Sequence, residues 1–196
     1  GGWTIAPVTR AILSDGFSEH AGNATLAKVF FDADAIPCPE KTFSFVISEH
    51  VLEHIYDPIT AILEWKRVLA DSGKMFIFLP EKDRMFDRAR KRTKLDDLIE
   101  RRGKVDPLRK RRILDEWMEL VISKGLASHY SHIEPERMLT DGTIHYNVWK
   151  TPDLIELLEH ADLKIVFAEE CVPDRKDSFL VIAEKKPVAK TEQLTK

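Results

Sequence analysis

The apolar positions of this chain fall into short runs separated by polar turns, and the period of each run says what it becomes. Phe43 to Ile47 is dense in aromatic and β-branched residues and predicts a strand. From Pro58 to Leu69 the period changes: Ile59, Ile62, Leu63, Trp65 and Val68-Leu69 recur at helical spacing, and Pro58 suits a first turn, where no N–H is needed. Asp71-Ser72-Gly73 is predicted to stop that helix, and Met75 to Leu79 to form the next strand. Two shorter runs come earlier: Arg10 to Ser14, closed by Asp15-Gly16, and Val29 to Phe31, closed by Asp32-Ala33-Asp34. Late in the chain Thr151-Pro152-Asp153 opens a helix through Leu158, with Thr151 as its cap. Leu163 to Ala168 and Phe179 to Ala183 read as two last strands.

Between Pro80 and Gly125 the apolar density drops until Ile113, Leu114, Trp117, Met118, Val121 and Ile122, and the stretch reads as mostly helical. It is predicted to be an insertion laid over a sheet. Alternating strands and helices on either side of it predict an α/β domain with helices on both faces. The short Pro-Asp-Arg-Lys-Asp turn before the final run suits an antiparallel hairpin. The expected organisation is one domain over residues 1–184, with a helical insertion or lid at about 81–147 and a polar tail at 185–196.

A chain of 196 residues that is 43% hydrophobic supports one full core and is short for two. The net charge of −3 is unevenly spread. Residues 82–112 hold fourteen Lys or Arg against six acids, a net +8, which leaves −11 for the remainder. Such a run reads as a solvated helical face or as a field for an acidic partner. Cys38 and Cys171 are far apart and outside any metal-ligand spacing, so they predict free thiols in a reducing compartment. No apolar run approaches the roughly 18 residues that cross a bilayer, and no secretion signal opens the chain, so a cytoplasmic protein without a transmembrane segment is expected.

One stretch carries more chemistry than the rest. Ser48-Glu49-His50-Val51-Leu52-Glu53-His54 follows a strand, Asp57-Pro58 starts a helix, and Arg67-Val68-Leu69 with Gly73 leads to a second strand. That order sets polar groups at the carboxyl ends of parallel strands, where doubly wound folds bind ligands. It resembles the middle of a class I S-adenosylmethionine-dependent methyltransferase. Leu79-Pro80-Glu81-Lys82, Phe86-Asp87-Arg88 with Arg90 and Thr93, His129-Tyr130 and Ile144-His145-Tyr146-Asn147-Val148-Trp149 narrow the resemblance. They are similar to a methyltransferase type 11-like group associated with surface-polysaccharide and glycosyltransferase pathways.

The resemblance implies a Rossmann-like, doubly wound, mostly parallel sheet with an antiparallel last strand and a helical insertion. It also implies S-adenosyl-L-methionine as cofactor, with Gly1, Gly2, Asp15, Asp32, Ala33, Ser48 and His50 as its binding residues. Asp15 matches the ribose position and Asp32 the adenine position. Gly1-Gly2 would be the tail of a glycine turn whose preceding strand, within roughly 25 residues of a strand plus a leading helix, is expected to be absent from this numbering. Asp15-Gly16 to Gly22-Asn23 is the other register for that turn, less favoured because it leaves too few residues before Asp32 for a βαβ unit. The sequence departs from the family at Ser44, where an Asp is usual, at Asp71-Ser72-Gly73 in place of a Lys-Pro-Gly-Gly turn, and at Gly16, where the group has a basic residue.

Methyl transfer from a sulfonium needs an aligned acceptor and, for a hydroxyl, removal of its proton. His54, which Glu53 beside it could orient or which with Glu53 could cap the next helix, and His145 are candidate catalytic residues, since an imidazole of near-neutral pKa suits a general base. Asp87 is another, with pairing to Arg88 or Arg90 as its alternative. Lys82, Arg84, Arg88 and Arg90 with His129 are candidates for binding an acceptor phosphate or uronate. His129, His132 and His145 raise a zinc site, but no Cys or carboxylate completes the set, and no metal is assigned. The expected function is methylation, on oxygen, of a small or glycan-like acceptor. A catalytically inactive methyltransferase-like binding domain is the alternative, motivated by Ser44 and the short amino-terminal part. Nucleic acid is not expected as a partner, because no Asn/Asp-Pro-Pro-aromatic segment is present to hold a flipped base.

Overall fold

A computed structural model describes the backbone of residues 10–12 and 30–187 and the side chains of residues 32–187. Among the described residues four strands form the central sheet: β3 (Phe43–Glu49), β4 (Leu69–Pro80), β5 (Leu163–Glu169) and β6 (Ser178–Lys185), in the order β3-β4-β6-β5. β3 runs parallel to β4, while β6 is antiparallel to both of its neighbours. Three of these strands therefore point one way and only the last is reversed. The class is α/β, with the antiparallel final strand that patterning predicts.

β1 (Arg10–Ile12) and β2 (Phe30–Asp32) pair antiparallel with each other, not with this sheet. The expectation that they extend a parallel sheet is corrected on that point. The three-residue ladder, from Arg10↔Asp32 to Ile12↔Phe30, takes up the groups a parallel neighbour would need.

Two helices cover one sheet face. α1 (Pro58–Val68) is capped by Asp57, whose side chain accepts from Thr60 N–H, and α5 (Thr151–His160) follows Lys150. Ile59, Ile62 and Trp65 of α1 and Leu154, Leu157 and Leu158 of α5 share one core with Met75, Ile77 and Leu79 of β4 and Phe179, Val181 and Ala183 of β6. The alternation of those strand residues is the period-two signal of a half-buried sheet. Thr151 is the first helical residue and not the cap. Asp153 reaches back to accept the Lys150 N–H at 3.0 Å, so a carboxylate at the third helical position does the capping. The opposite sheet face carries Phe45, Ile47 and Phe167, between 46% and 55% exposed.

The polypeptide between β4 and α5 builds a second core. Two 3₁₀ turns, Lys82–Arg84 and Phe86–Ala89, lead to α2 (Leu95–Arg101) and α3 (Pro107–Trp117). A π turn at Met118–Ile122 and Gly125, with φ of +66°, end the helical run. α4 (Pro135–Thr140) follows. Leu114, Trp117, Val121, Ala127, Met138, Ile144 and Tyr146 pack together with Tyr56, which comes from the sheet side.

Candidate functional site

The carboxyl end of β2 and the turn that follows β3 meet the second core at a cleft of about 460 Å³. Asp32, Ala33 and Asp34 form one wall, His54 to Asp57 and Thr60 the next, and Gly103 to Val105 with Lys110 and Tyr146 face them. The Asp32 wall is anchored, because Trp65 Nε1–H of α1 donates to Ala33 O at 2.8 Å. Across the cleft, Lys110 Nζ lies 5.0 Å above the Tyr56 ring and 5.8 Å above that of Tyr146, which are themselves packed edge to face. Burial pushes the Tyr146 phenol up to about 12, so it is a hydrogen-bond donor throughout the neutral range. Acid on one side and ammonium on the other suit a zwitterionic or mixed-charge ligand.

The turn after β3 supplies the deeper chemistry. His50 closes that strand with a left-handed φ of +49°, a conformation that costs a residue with a Cβ on the order of 1 kcal/mol. Its backbone N–H donates to Phe78 O and its Nε2 lies 2.7 Å from Ser178 Oγ. Desolvation lowers the His50 pKa. The kink redirects the chain into the 3₁₀ turn Leu52–His54, all three residues of which are buried.

Within that turn Glu53 is fully enclosed, and neither carboxylate oxygen has a hydrogen-bond partner. Its Oε1 lies 3.7 Å from His54 Nε2 and 3.9 Å from His50 Nδ1. Desolvation pushes the Glu53 carboxyl up to about 7 and drives the His54 imidazole down to about 3, so His54 is neutral. His54 Nδ1 is 3.1 Å from Ile144 O. His145 sits edge to face on His54, with centroids 4.7 Å apart, and its Nδ1 is 2.5 Å from Asp87 Oδ2. Arg90 Nη1 donates to Asp87 Oδ1 at 2.9 Å and to His145 O at 2.8 Å.

The candidates named from sequence are thereby sorted. Asp32, Ala33 and His54 line the cleft. His54, His145 and Asp87 come together, and Glu53, weighed from sequence as the neighbour that could orient His54, joins them. Ser48 is buried on the core side of β3 with its hydroxyl unpartnered, and His50 closes the strand beside Ser178. The acceptor-binding role of Arg90 is corrected: the guanidinium is buried and committed to Asp87 and a backbone carbonyl. Arg84 bonds the carbonyl oxygens of Glu170 and Ser178, and Lys82 Nζ bonds Arg88 O at 2.7 Å. Arg88 and His129 are exposed outside the cleft lining. Gly1, Gly2 and Asp15 lie outside the described residues. Lys104, Lys110, Tyr56 and Tyr146 were missed, although two belong to the basic run; only the fold shows which of its cations face the cleft.

Residues 6–77 match the model of a family described as a methyltransferase domain. None of the curated proteins compared matches the chain. Among solved structures, the chain is similar to an S-adenosylmethionine-dependent methyltransferase of Aquifex aeolicus, at 16% identity and a TM-score of 0.43 over 80% of this chain and 53% of that one. It is also similar to one of Methanosarcina mazei, at 12% identity and a TM-score of 0.44 over 81% and 66%. A third is the 1,6-didemethyltoxoflavin-N1-methyltransferase of Burkholderia thailandensis, solved with its acceptor and S-adenosylhomocysteine, at 14% identity and a TM-score of 0.45 over 81% and 50%. The chain thus spans between half and two thirds of the length of these proteins. Among the described residues no helix is long and apolar enough to cross a membrane.

Proposed function

We propose that this chain is an S-adenosylmethionine-dependent methyltransferase that acts on oxygen in a small or glycan-like acceptor. The observation that carries the reading is the match of residues 6–77 to a methyltransferase domain, because the described end of that segment supplies the Asp32 and His54–Thr60 walls of the cleft. Asp32 takes the adenosyl end of the cofactor, with Ala33 closing on the ring, since a carboxylate at a strand tip accepts from the ligand's donors. Asp15 and the glycines Gly1 and Gly2 serve the ribose and methionine ends, and Ser48 and His50, at the end of β3, complete the cofactor-binding set.

Tyr56, Tyr146, Lys104 and Lys110 form the acceptor side, where the ammonium groups favour an acidic or phosphate-bearing acceptor. Lys82, Arg84, Arg88 and His129, outside the cleft lining, are further candidates for contact with an acidic acceptor. His54, His145 and Asp87 are the polar centre at which the acceptor hydroxyl gives up its proton. The chemistry of an in-line displacement asks for little else, because the departing sulfur loses its charge without help from an acid.

Asp32→Ala tests the cofactor half of this reading. Calorimetric titration with S-adenosylmethionine and S-adenosylhomocysteine should show affinity reduced by about tenfold or more, the cost of removing one charged hydrogen-bond partner. Unchanged affinity would remove Asp32 from the site.

A further inference from the structure

We infer that Glu53, His54 and His145 bind one divalent transition-metal ion of the zinc class. Their ligand atoms all lie within 4.8 Å of one another, on side chains that are 1%, 7% and 3% exposed. Ligands at 2.0–2.2 Å from a tetrahedral ion sit roughly 3.3 Å apart. The 3.7 Å between Glu53 Oε1 and His54 Nε2 is therefore a small side-chain rotation from closure.

Three independent features favour a cation here over a merely buried polar cluster. First, both imidazoles are set to present a lone pair. Ile144 O can only accept, so His54 carries its proton on Nδ1 and leaves Nε2 free. Asp87 does the same for His145 at Nδ1. A carbonyl or carboxylate on the far nitrogen is the arrangement that orients metal-bound histidines. Second, that support is itself held, because Arg90 fixes Asp87, and Phe86 and Trp117 pack on the His145 ring at 4.9 and 5.3 Å. Third, Glu53 has two enclosed oxygens without a hydrogen-bond partner, and its ion-pair neighbours among the described residues are only His50 and His54. A carboxylate in that position is costly unless a cation meets it.

Two imidazoles and one carboxylate are the donor set of zinc-type ions and not of magnesium, which takes oxygen ligands and retains water. The ion would clasp the turn Leu52–His54 to the extended segment of residues 144–147. His54 also forms part of the cleft wall, so the ion would stand at the inner end of the acceptor side, where a Lewis acid lowers the pKa of a hydroxyl. That consequence rests on the methyl-transfer reading and would stand in place of proton transfer to the imidazoles, whose free nitrogens the ion would occupy, whereas the binding does not rest on it.

The test is metal titration of the full chain after chelator treatment, without cofactor. Zn²⁺ should bind at one ion per chain by calorimetry and elemental analysis, and Mg²⁺ should not compete. Glu53→Gln and His145→Gln should each weaken zinc by more than about 100-fold, and Asp87→Asn, which removes only the orienting partner, by about 10- to 100-fold. His129→Ala, His132→Ala and Asp32→Ala should leave it unchanged, so failure of the cofactor site and failure of the metal site are separate results. Zinc-edge X-ray absorption on the parent chain should show two imidazoles with a light-atom donor, a readout that stands even if a ligand variant does not fold. Absence of saturable binding, a different ligand set, or full affinity in folded Glu53→Gln and His145→Gln would overturn the inference.

Discussion

At the scale of single residues, Gly73 shows why a turn that reads as a helix stop is more constrained than that. Asp71, Ser72 and Gly73 lie inside β4, where the register against β3 slips between Phe43 and Phe45. A Cβ added at Gly73 would lie 2.9 Å from Ala70 O and 3.1 Å from Ser44 O, both backbone atoms that cannot swing aside. Gly73→Ala should therefore destabilise the protein by about 1–3 kcal/mol, the range of a forced overpacking. Urea denaturation would measure it, and a stability equal to the parent's would show that the β3–β4 contact relaxes. Ser44, the departure from the family pattern, meets this same contact through its backbone carbonyl, so its side chain is not what the bulge requires.

At the scale of elements, α1 holds the Asp32 wall of the cleft as well as the sheet. Glu64 accepts from Arg67 at 2.7 Å on both carboxylate oxygens and from Ile36 N–H at 2.8 Å, while Arg67 donates on to the carbonyls of Ile36 and Cys38. One ion pair on one helix thus pins the segment after Asp32. The Arg67 hydrogen bonds depress the Glu64 pKa. Because the folded-state value lies below the unfolded one, this stabilisation is fully present above about pH 4.3 and is lost as pH falls through the lower folded value. Glu64→Gln should be less stable than the parent at pH 7, and the gap should narrow toward pH 3. A constant gap across that range in chemical denaturation would show that the charge of Glu64 contributes nothing. The pair is legible in the sequence as an i, i+3 spacing on a predicted helix, but its grip on residues 36–38 is not, since those residues are about thirty positions away.

At the scale of the whole molecule, the two cores are joined by buried polar side chains as well as by Tyr56. Asn147 Nδ2 donates to Ile55 O at 2.8 Å and to Leu52 O at 3.3 Å, and its Oδ1 accepts from Arg101 Nη2. Arg101 is buried, lies over the Tyr56 ring at 5.1 Å and has its pKa lowered by desolvation. Asn147→Ala would remove the partner of Arg101 Nη2, leaving the guanidinium with Asp97 at 3.4 Å, and would take one donor from each of the Ile55 and Leu52 carbonyls. A loss of about 1–3 kcal/mol is expected, with faster proteolysis within residues 95–125, because a buried donor left without its acceptor costs more than the hydrogen bond itself contributes. Stability within 0.5 kcal/mol of the parent, the scale of a surface change, would show that the junction does not depend on this contact.

What the sequence determined by itself is local. The periods of 2.0 and 3.6 placed β3, α1, α5, β5 and β6 within a few residues, because side-chain burial repeats along a strand or helix whatever lies beyond it. Proline at the first turn and glycine at the end marked α1, α5 and the close of the helical run for the same reason. The acid at the tip of β2 was legible as chemistry because it ends an apolar run. The tertiary structure decided everything that depends on side chains distant in sequence. It left Arg90 inside and Lys110 in the cleft, although both belong to one basic run, and it brought Glu53 and His54 against His145 across some ninety residues. Charge along a chain carries no direction, and direction is what a binding site is made of.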